Sequence, residues 1–346
     1  MKGLVRKVAL GVAAGVAVYI GFSIWANAGR VGAALASFSW RMAGLACLLA
    51  AGNYLVRFGR WQYYLRVLGL RIAPRDSLLV FLAGFSLTVT PGKLGEAVKA
   101  FLLRASHGVP VARTAPIVIA ERVTDLLALL VLALAGVFHF DVDRRFLLAA
   151  AGLVLGGVLV VSIDPLAELA LGFAARLPVL RRHAPKLREL HASTAALLHP
   201  RPLVLATMIS SASWFLECLA FWVVVKGFPG VGLDLRAATF IYASMTIAGA
   251  LSFLPGGLGV TEAGMLAMLV RFGTGIDRGQ AAAATFVTRA TTLWFAVALG
   301  LPALVLYTRR KHVALTGDGA SLADASSDAS PDASPDASSA ASSTAQ

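Results

Sequence analysis

Charge is scarce in this chain. Asp, Glu, Lys and Arg make up 14% of its 346 residues and 58% are hydrophobic. A soluble globular domain carries roughly 25% charged residues. With a mean hydropathy of +0.76, the balance excludes an ordinary soluble fold and points to a polytopic membrane protein. Several windows hold about 17–25 apolar residues, enough to cross the hydrocarbon core as helix. Strand-like alternation is missing, which argues against a transmembrane β-barrel. The fold class expected is all-α, a membrane helical bundle.

Cysteine is scarcer still. Cys47 and Cys218 are the whole supply, each alone in an apolar run, so there is neither a disulfide framework nor metal-ligand spacing. Both read as small packing residues. Among the six histidines, His183, His191 and His199 stand eight apart, which turns each about 80° from the last on a helix. No metal site and no cofactor are expected. No nucleotide-binding Gly-rich loop is present either.

Acidic residues are few outside the tail. Residues 317–346 hold five Asp and no Lys or Arg, and the formal net charge is +13. In a membrane protein such a basic excess reads as cytoplasmic Lys and Arg facing anionic lipid headgroups rather than as a nucleic-acid surface. The repetitive Ser-Asp-Ala-Ser-Pro tail, residues 312–346, lacks core-forming residues and is expected to be disordered. At the other end, Lys2, Arg6 and Lys7 precede an apolar run from Val8 to Trp25. That run exceeds a secretory h-region of about 7–15 residues, so it reads as an uncleaved first helix.

Six full spans are predicted, near 7–26, 38–57, 114–138, 146–163, 203–225 and 280–308. Arg57, Arg60, Arg66, Arg71 and Arg75 are assigned to the loop after the second. A basic loop at 164–202, holding Arg176, Arg181, Arg182, Lys186 and Arg188, follows the fourth, with short helices lying on the membrane surface. Arg309, Arg310 and Lys311 follow the last. The positive-inside rule places these groups and both termini in the cytoplasm, with the bacterial inner membrane as the expected location. The crossings balance only if two further apolar segments, near 76–104 and 237–272, each enter and leave on one side as a helical hairpin, either re-entrant or fully spanning.

Those segments carry helix breakers and a carboxylate. Pro91-Gly92-Lys93-Leu94-Gly95-Glu96 lines up with Pro255-Gly256-Gly257-Leu258-Gly259-Val260-Thr261-Glu262, allowing a two-residue insertion. Downstream, Glu121-Arg122-Val123-Thr124-Asp125 lines up with Thr288-Arg289-Ala290-Thr291-Thr292. The repeat cores run about 76–138 and 237–308. Because the predicted copies run in opposite directions, they form an inverted-topology repeat, with a site expected near the midplane where the broken helices meet.

Irregular backbone at membrane depth survives only where protein or trapped water satisfies it. A break leaves free N–H groups at the next half-helix, which suits an anion. Glu96 and Glu262, in the first turns of those half-helices, either complement the helix dipole or bind a cation or proton. Glu121, Arg122 and Asp125 fall within about 100° of one helix face, with Arg122 able to pair with Asp125 or Glu96, and Arg289 with Glu262. Thr285, Thr288 and Thr292 share the polar face of Arg289. Lys93 and Lys99 either flank a phosphate or snorkel to the interface. Glu217 is a weaker candidate, a partner for a basic residue.

The Pro-Gly-x-x-Gly-Glu element, the Glu-Arg-x-x-Asp after it and the later Leu-Pro-Gly-Gly-Leu-Gly-x-x-Glu resemble the lysylphosphatidylglycerol synthase transmembrane-region family, the flippase-like integral membrane proteins. The resemblance covers roughly residues 5–311. Lys93 and Lys99 stand where the family often has Arg, which keeps charge but loses bidentate phosphate geometry. The resemblance implies the lipid-translocating region without the soluble aminoacyl-transferase domain, so no enzyme activity is carried over. It further implies a lipid substrate such as an aminoacyl-phosphatidylglycerol, a hopanoid or a polyprenyl-phosphate-linked sugar. The readings left beside it are a lipid- or glycan-modifying transferase using Glu121 and Asp125 as acid and base, and a non-catalytic partner of a separately encoded synthase or glycosyltransferase.

Overall fold

The computed structural model describes residues 28–89, 98–137 and 192–310, with the single helical positions 145, 148, 152 and 156. The spans predicted near 7–26 and 146–163, most of the basic loop, the tail and the whole first break from Thr90 to Ala97 lie outside the described residues. Among the described residues the fold is helical. Its elements are α1 (Ala28–Ser37), α2 (Trp40–Val67), α3 (Pro74–Phe85), α4 (Val98–His107), α5 (Val111–Val137), α6 (Pro200–Lys226), α7 (Leu235–Leu251), α8 (Val260–Phe272) and α9 (Arg278–Arg310).

Starts and stops follow local chemistry. Proline opens α3 and α6, where its missing N–H costs nothing. Asp234 caps α7 by accepting from the Arg236 N–H at 2.9 Å. Asp277 and Gln280 form a reciprocal capping box at the start of α9, at 2.8 and 3.1 Å. Within α9 lies one π-helical turn, Ala290–Trp294, directly after Arg289.

Helices α2, α6 and α9 are long and apolar enough to cross a membrane. Helix α5 has similar length but carries Glu121, Arg122 and Asp125 in its middle. These four coincide with predicted spans, with one correction. The second span does not end at residue 57. Helix α2 runs 28 residues to Val67, about 42 Å, so Arg57 and Arg60 lie inside the helix rather than in a loop. Arg66, Arg71 and Arg75 are exposed, but Arg60 is fully buried. Asn53, Tyr54, Arg57, Arg60, Trp61, Tyr64 and Leu65 continue a three- and four-residue stripe facing the interior, and that stripe carries the helix past its first arginines. Within the predicted basic loop, residues 192–198 are helical, with Leu197 and Leu198 buried and Ala192 and Ala196 exposed.

Tight packing uses small residues, as expected where lipid removes the hydrophobic drive between helices. In α9, Gly279 and Ala281 to Ala284 are all buried, and Gly279 lies directly against Arg30 of α1. Gly300 packs on the backbone of Phe85 and Ser86, leaving no room for a Cβ.

Helices α2 and α6 lie antiparallel. Ser39 N donates to the Gly227 carbonyl at 2.9 Å, Asn53 Nδ2 donates to the Ser213 carbonyl at 2.6 Å, and Arg60 meets Ser210. The end of α2 therefore lies near the start of α6. The hairpin α3–α4 leaves from the end of α2 and returns there, because Arg113 at the start of α5 donates to the Leu68 carbonyl at 2.8 Å. The hairpin α7–α8 follows the opposite end of α6. Its two ends are tied by the Gly232–Thr274 bridge, with both N–H···O distances 2.9 Å. The two hairpins thus open at opposite ends of the bundle.

Their tips meet. Val89, the last described residue before the first break, packs against Gly256 and, with Leu258 and Val297, forms a small apolar cluster. Two larger cores flank it. One is built on α6, α7, α8 and the first half of α9, around Phe221, Ile241 and Met265. The other is built on α2 and α3, around Trp61, Tyr64 and Phe81.

Candidate functional site

Between the two larger cores lies a cavity of about 380 Å³. Tyr54 and Arg57 enter it from α2, Arg122 and Asp125 from α5, Trp214 and Glu217 from α6, and Tyr242 from α7. Arg289 and Thr292 enter from α9, and Phe253, Leu254, Gly256 and Gly257 from the second break.

Asp125 is the hub of its floor. One carboxylate oxygen accepts from Arg60 Nη1 at 2.6 Å and from Ser210 Oγ at 3.1 Å. The other faces Arg122 Nη2 at 3.1 Å and Arg57 Nη2 at 3.4 Å. Arg60 also donates to Thr124 Oγ1 at 3.1 Å. Among the described residues, three guanidinium groups from two helices thus share this one carboxylate. Arg57 in turn stacks over the Trp214 ring, 5.6 Å from its centroid. A charge buried without partners costs several kcal/mol; Arg60 meets its partners through Nη1, while its Nε and Nη2 have no hydrogen-bond partner.

The second break is locked by Arg289. Its Nε donates to Glu262 Oε1 at 2.7 Å and its Nη2 to the Gly256 carbonyl at 2.6 Å. The other Glu262 oxygen accepts from the Gly259 N–H at 2.7 Å. Glu262 therefore caps α8 and pairs with Arg289 at once, and the carbonyl exposed by the break finds a donor. Gly256, Gly257 and Gly259 all have positive φ, at 62°, 69° and 89°, a backbone that glycine adopts without steric cost. Beyond Arg289, Tyr54 Oη donates to the Thr292 carbonyl inside the π turn at 2.6 Å. Such turns recur at functional sites. Across the cavity, Tyr242 Oη donates to Glu217.

The predicted residues divide accordingly. Arg122, Asp125, Arg289, Gly256 and Gly257 line the cavity, with Glu262 directly behind Arg289 and Pro255 and Gly259 shaping the break. Thr292 lines it too. Thr285 and Thr288 turn their hydroxyls back onto carbonyls four residues earlier in their own helix, at 2.8 and 2.7 Å. Pro91, Gly92, Lys93, Gly95 and Glu96 lie outside the described residues.

Two expectations are corrected. Glu121, one turn before Asp125 on the same helix, does not line the cavity; its carboxylate accepts from Lys99 Nζ at 2.6 Å. The two carboxylates therefore do not converge as an acid–base pair. Lys99 neither flanks the cavity nor snorkels outward. It is buried against Gly84, its nitrogen 4.7 Å from the Trp61 ring centroid and 5.5 Å from that of Phe81. Aromatic faces and one carboxylate satisfy the ammonium there. Arg57, Arg60, Tyr54, Trp214 and Tyr242 were missed, although the α2 stripe was a readable signal for the first three. Among the described residues no three of His, Cys, Asp and Glu come together as metal ligands.

The chain matches the family described as "Lysylphosphatidylglycerol synthase TM region" over residues 12–300. It belongs to this family. Its relatives include two UPF0104 membrane proteins of Methanothermobacter thermautotrophicus. One is 27% identical over 270 residues, covering 71% of this chain and 79% of the relative. The other is 26% identical over 295 residues, covering 80% and 86%. A UPF0104 membrane protein of Pyrococcus horikoshii is 26% identical over 300 residues, covering 78% and 88%. The family match takes in the cavity and both hairpins, so the charged interior lies within the family's shared region.

Proposed function

We propose that this family member is a lipid translocator of the bacterial inner membrane. The headgroup enters the cavity while the hydrocarbon chain stays in the bilayer. One observation carries the reading: a charged cavity sits where two hairpins, opening at opposite ends of the bundle, touch through Val89 and Gly256. That arrangement supports an inverted-topology repeat, in which rocking of one half against the other exposes a central site to each side in turn. Helix α8 is only 13 residues, about 20 Å, short of the ~30 Å hydrocarbon core, which favours a re-entrant hairpin.

Among the described lining residues, Arg57, Arg122 and Arg289 stand with Asp125 and Glu217, and the guanidinium groups suit a phosphate. Arg57 and Arg122, on the cavity floor beside Asp125, take the main part. The lipid classes in view are a phospholipid, an aminoacyl-lipid, a hopanoid or a polyprenyl-linked lipid.

Purified protein in vesicles tests the reading, with nitrobenzoxadiazole-labelled phosphatidylglycerol, labelled polyprenyl phosphate and an uncharged labelled glycolipid as probes. Protein-dependent exchange between leaflets, followed by dithionite bleaching, is expected for at least one phosphate-bearing probe. Exchange of none would refute the translocator. A chemically altered lipid would instead favour the transferase, and co-purification with a synthase without autonomous transport would favour the partner role. The topology has its own test. With both termini cytoplasmic, single cysteines at residues 104–112 are expected to react with an impermeant thiol reagent from the cytoplasmic side, and those at 272–279 from the other. Labelling of both loops from one side would rule out the inverted arrangement.

A further inference from the structure

Among the described residues, one residue other than glycine has positive φ: Phe253, at 55°. An L-residue other than glycine enters this region only against a steric penalty. Within seven residues the break uses this conformation four times, and at Gly256, Gly257 and Gly259 it uses the residue that fits freely. At the fourth it keeps a phenylalanine, whose ring does not repay the strain by packing into the protein, because Phe253 is 74% exposed. Yet Phe253 lines the cavity, as does Leu254, which is 45% exposed. Every other lining residue is buried or half-buried. The two therefore form the lip of the cavity, and the lip is apolar while the floor holds Arg57, Arg122 and Asp125. Hydrophobic residues recur just beyond it, with exposed Val260 opening α8. A ligand reaching from the floor past this lip is polar at one end and hydrocarbon at the other.

We propose that Phe253 is the contact for the hydrocarbon part of the transported lipid. It positions the chain at the cavity lip while the headgroup lies among the arginines, and with Leu254 it sets which chains are accepted. The inference rests on the translocator reading above. Phe253 borders the cavity at its exposed edge, and the adjoining break, locked by Arg289 to Gly256 and Glu262, holds its backbone in place. Chain contact and headgroup contact are thereby coupled through one segment.

Three variants at Phe253, one at Arg122 and a photo-crosslinking probe test it. In vesicles carrying labelled phosphatidylglycerol, Phe253→Ala is expected to lower transport about tenfold, the size of a lost hydrocarbon contact, while Phe253→Leu stays close to the parent. Phe253→Gly is expected to lose transport equally but to melt higher than Phe253→Ala, because glycine removes the strain and alanine does not. Transport unchanged in Phe253→Ala would overturn the proposal. For the direct contact, p-benzoylphenylalanine replaces Phe253, and its photo-crosslink to a chain-labelled phosphatidylglycerol is measured with and without Arg122→Gln. A substrate chain gives a crosslink that falls with the floor arginine removed; a crosslink that ignores it marks ordinary surrounding lipid and overturns the proposal. This arm needs no transport, so it separates failure of the lip from failure of the translocator reading.

Discussion

Replacing Asp125 with alanine is expected to cost about 3–5 kcal/mol of stability, the usual penalty for stranding buried charge, and to leave little folded protein after purification. The carboxylate is the shared partner of Arg57, Arg60 and Arg122. Arg57 and Arg122 reach the cavity, where water can solvate them once the carboxylate is gone. Arg60 has no such outlet: its side chain is fully buried, and Thr124 and Ser210 offer only neutral oxygens. Thermal unfolding in lipid nanodiscs measures the loss. A double variant, Asp125→Leu with Arg60→Met, removes the stranded charge and its partner together and is expected to regain most of the stability. If Asp125→Ala unfolds at the parent temperature, the hub does not hold α2, α5 and α6 together as described.

Arg122→Gln is expected to do the reverse, lowering transport about a hundredfold, as truncation of a charge-paired contact commonly does, while the fold survives. The Arg122 side chain is 27% exposed, and Asp125 keeps Arg60 and Arg57 without it. Asp125 therefore keeps charged partners when Arg122 is gone. Arg122→Lys is expected to recover part of the transport, since it restores charge but not the planar fork that meets a phosphate with two hydrogen bonds. Melting temperature and transport measured on the same preparations separate the two effects. Full transport by Arg122→Gln would remove this residue from the proposed path.

The two variants differ because neighbouring charges on one helix have different surroundings, and that difference was only partly legible. The pairing of Arg122 with Asp125 follows from i,i+3 spacing, and that of Arg289 with Glu262 from the repeat. Glu121 is one turn before Asp125, and a helical wheel places the two on nearly the same face. Its partner is instead Lys99, 22 residues earlier, which reaches Glu121 because Gly84 leaves room for its stem. Arg60 was misassigned for a related reason. A cluster of arginines after an apolar run reads as a loop at the membrane surface, and only the continuing stripe through Trp61 and Tyr64 argued otherwise.

Composition and local pattern alone determined that this is a helical membrane protein, where its long helices run, that the second apolar hairpin is broken at Pro255–Gly259, and that Arg122 stands within reach of Asp125. These are properties of apolar content, helical period and backbone stereochemistry, and they act over a few residues. The tertiary structure decided which distant charges share an interior. Arg60 meets Asp125 across 65 positions, Val89 meets Gly256, and Phe253 stands at the lip. Those contacts depend on the antiparallel register of α2 against α6 and on close approach at Gly279 and Gly300, which no spacing within one helix encodes.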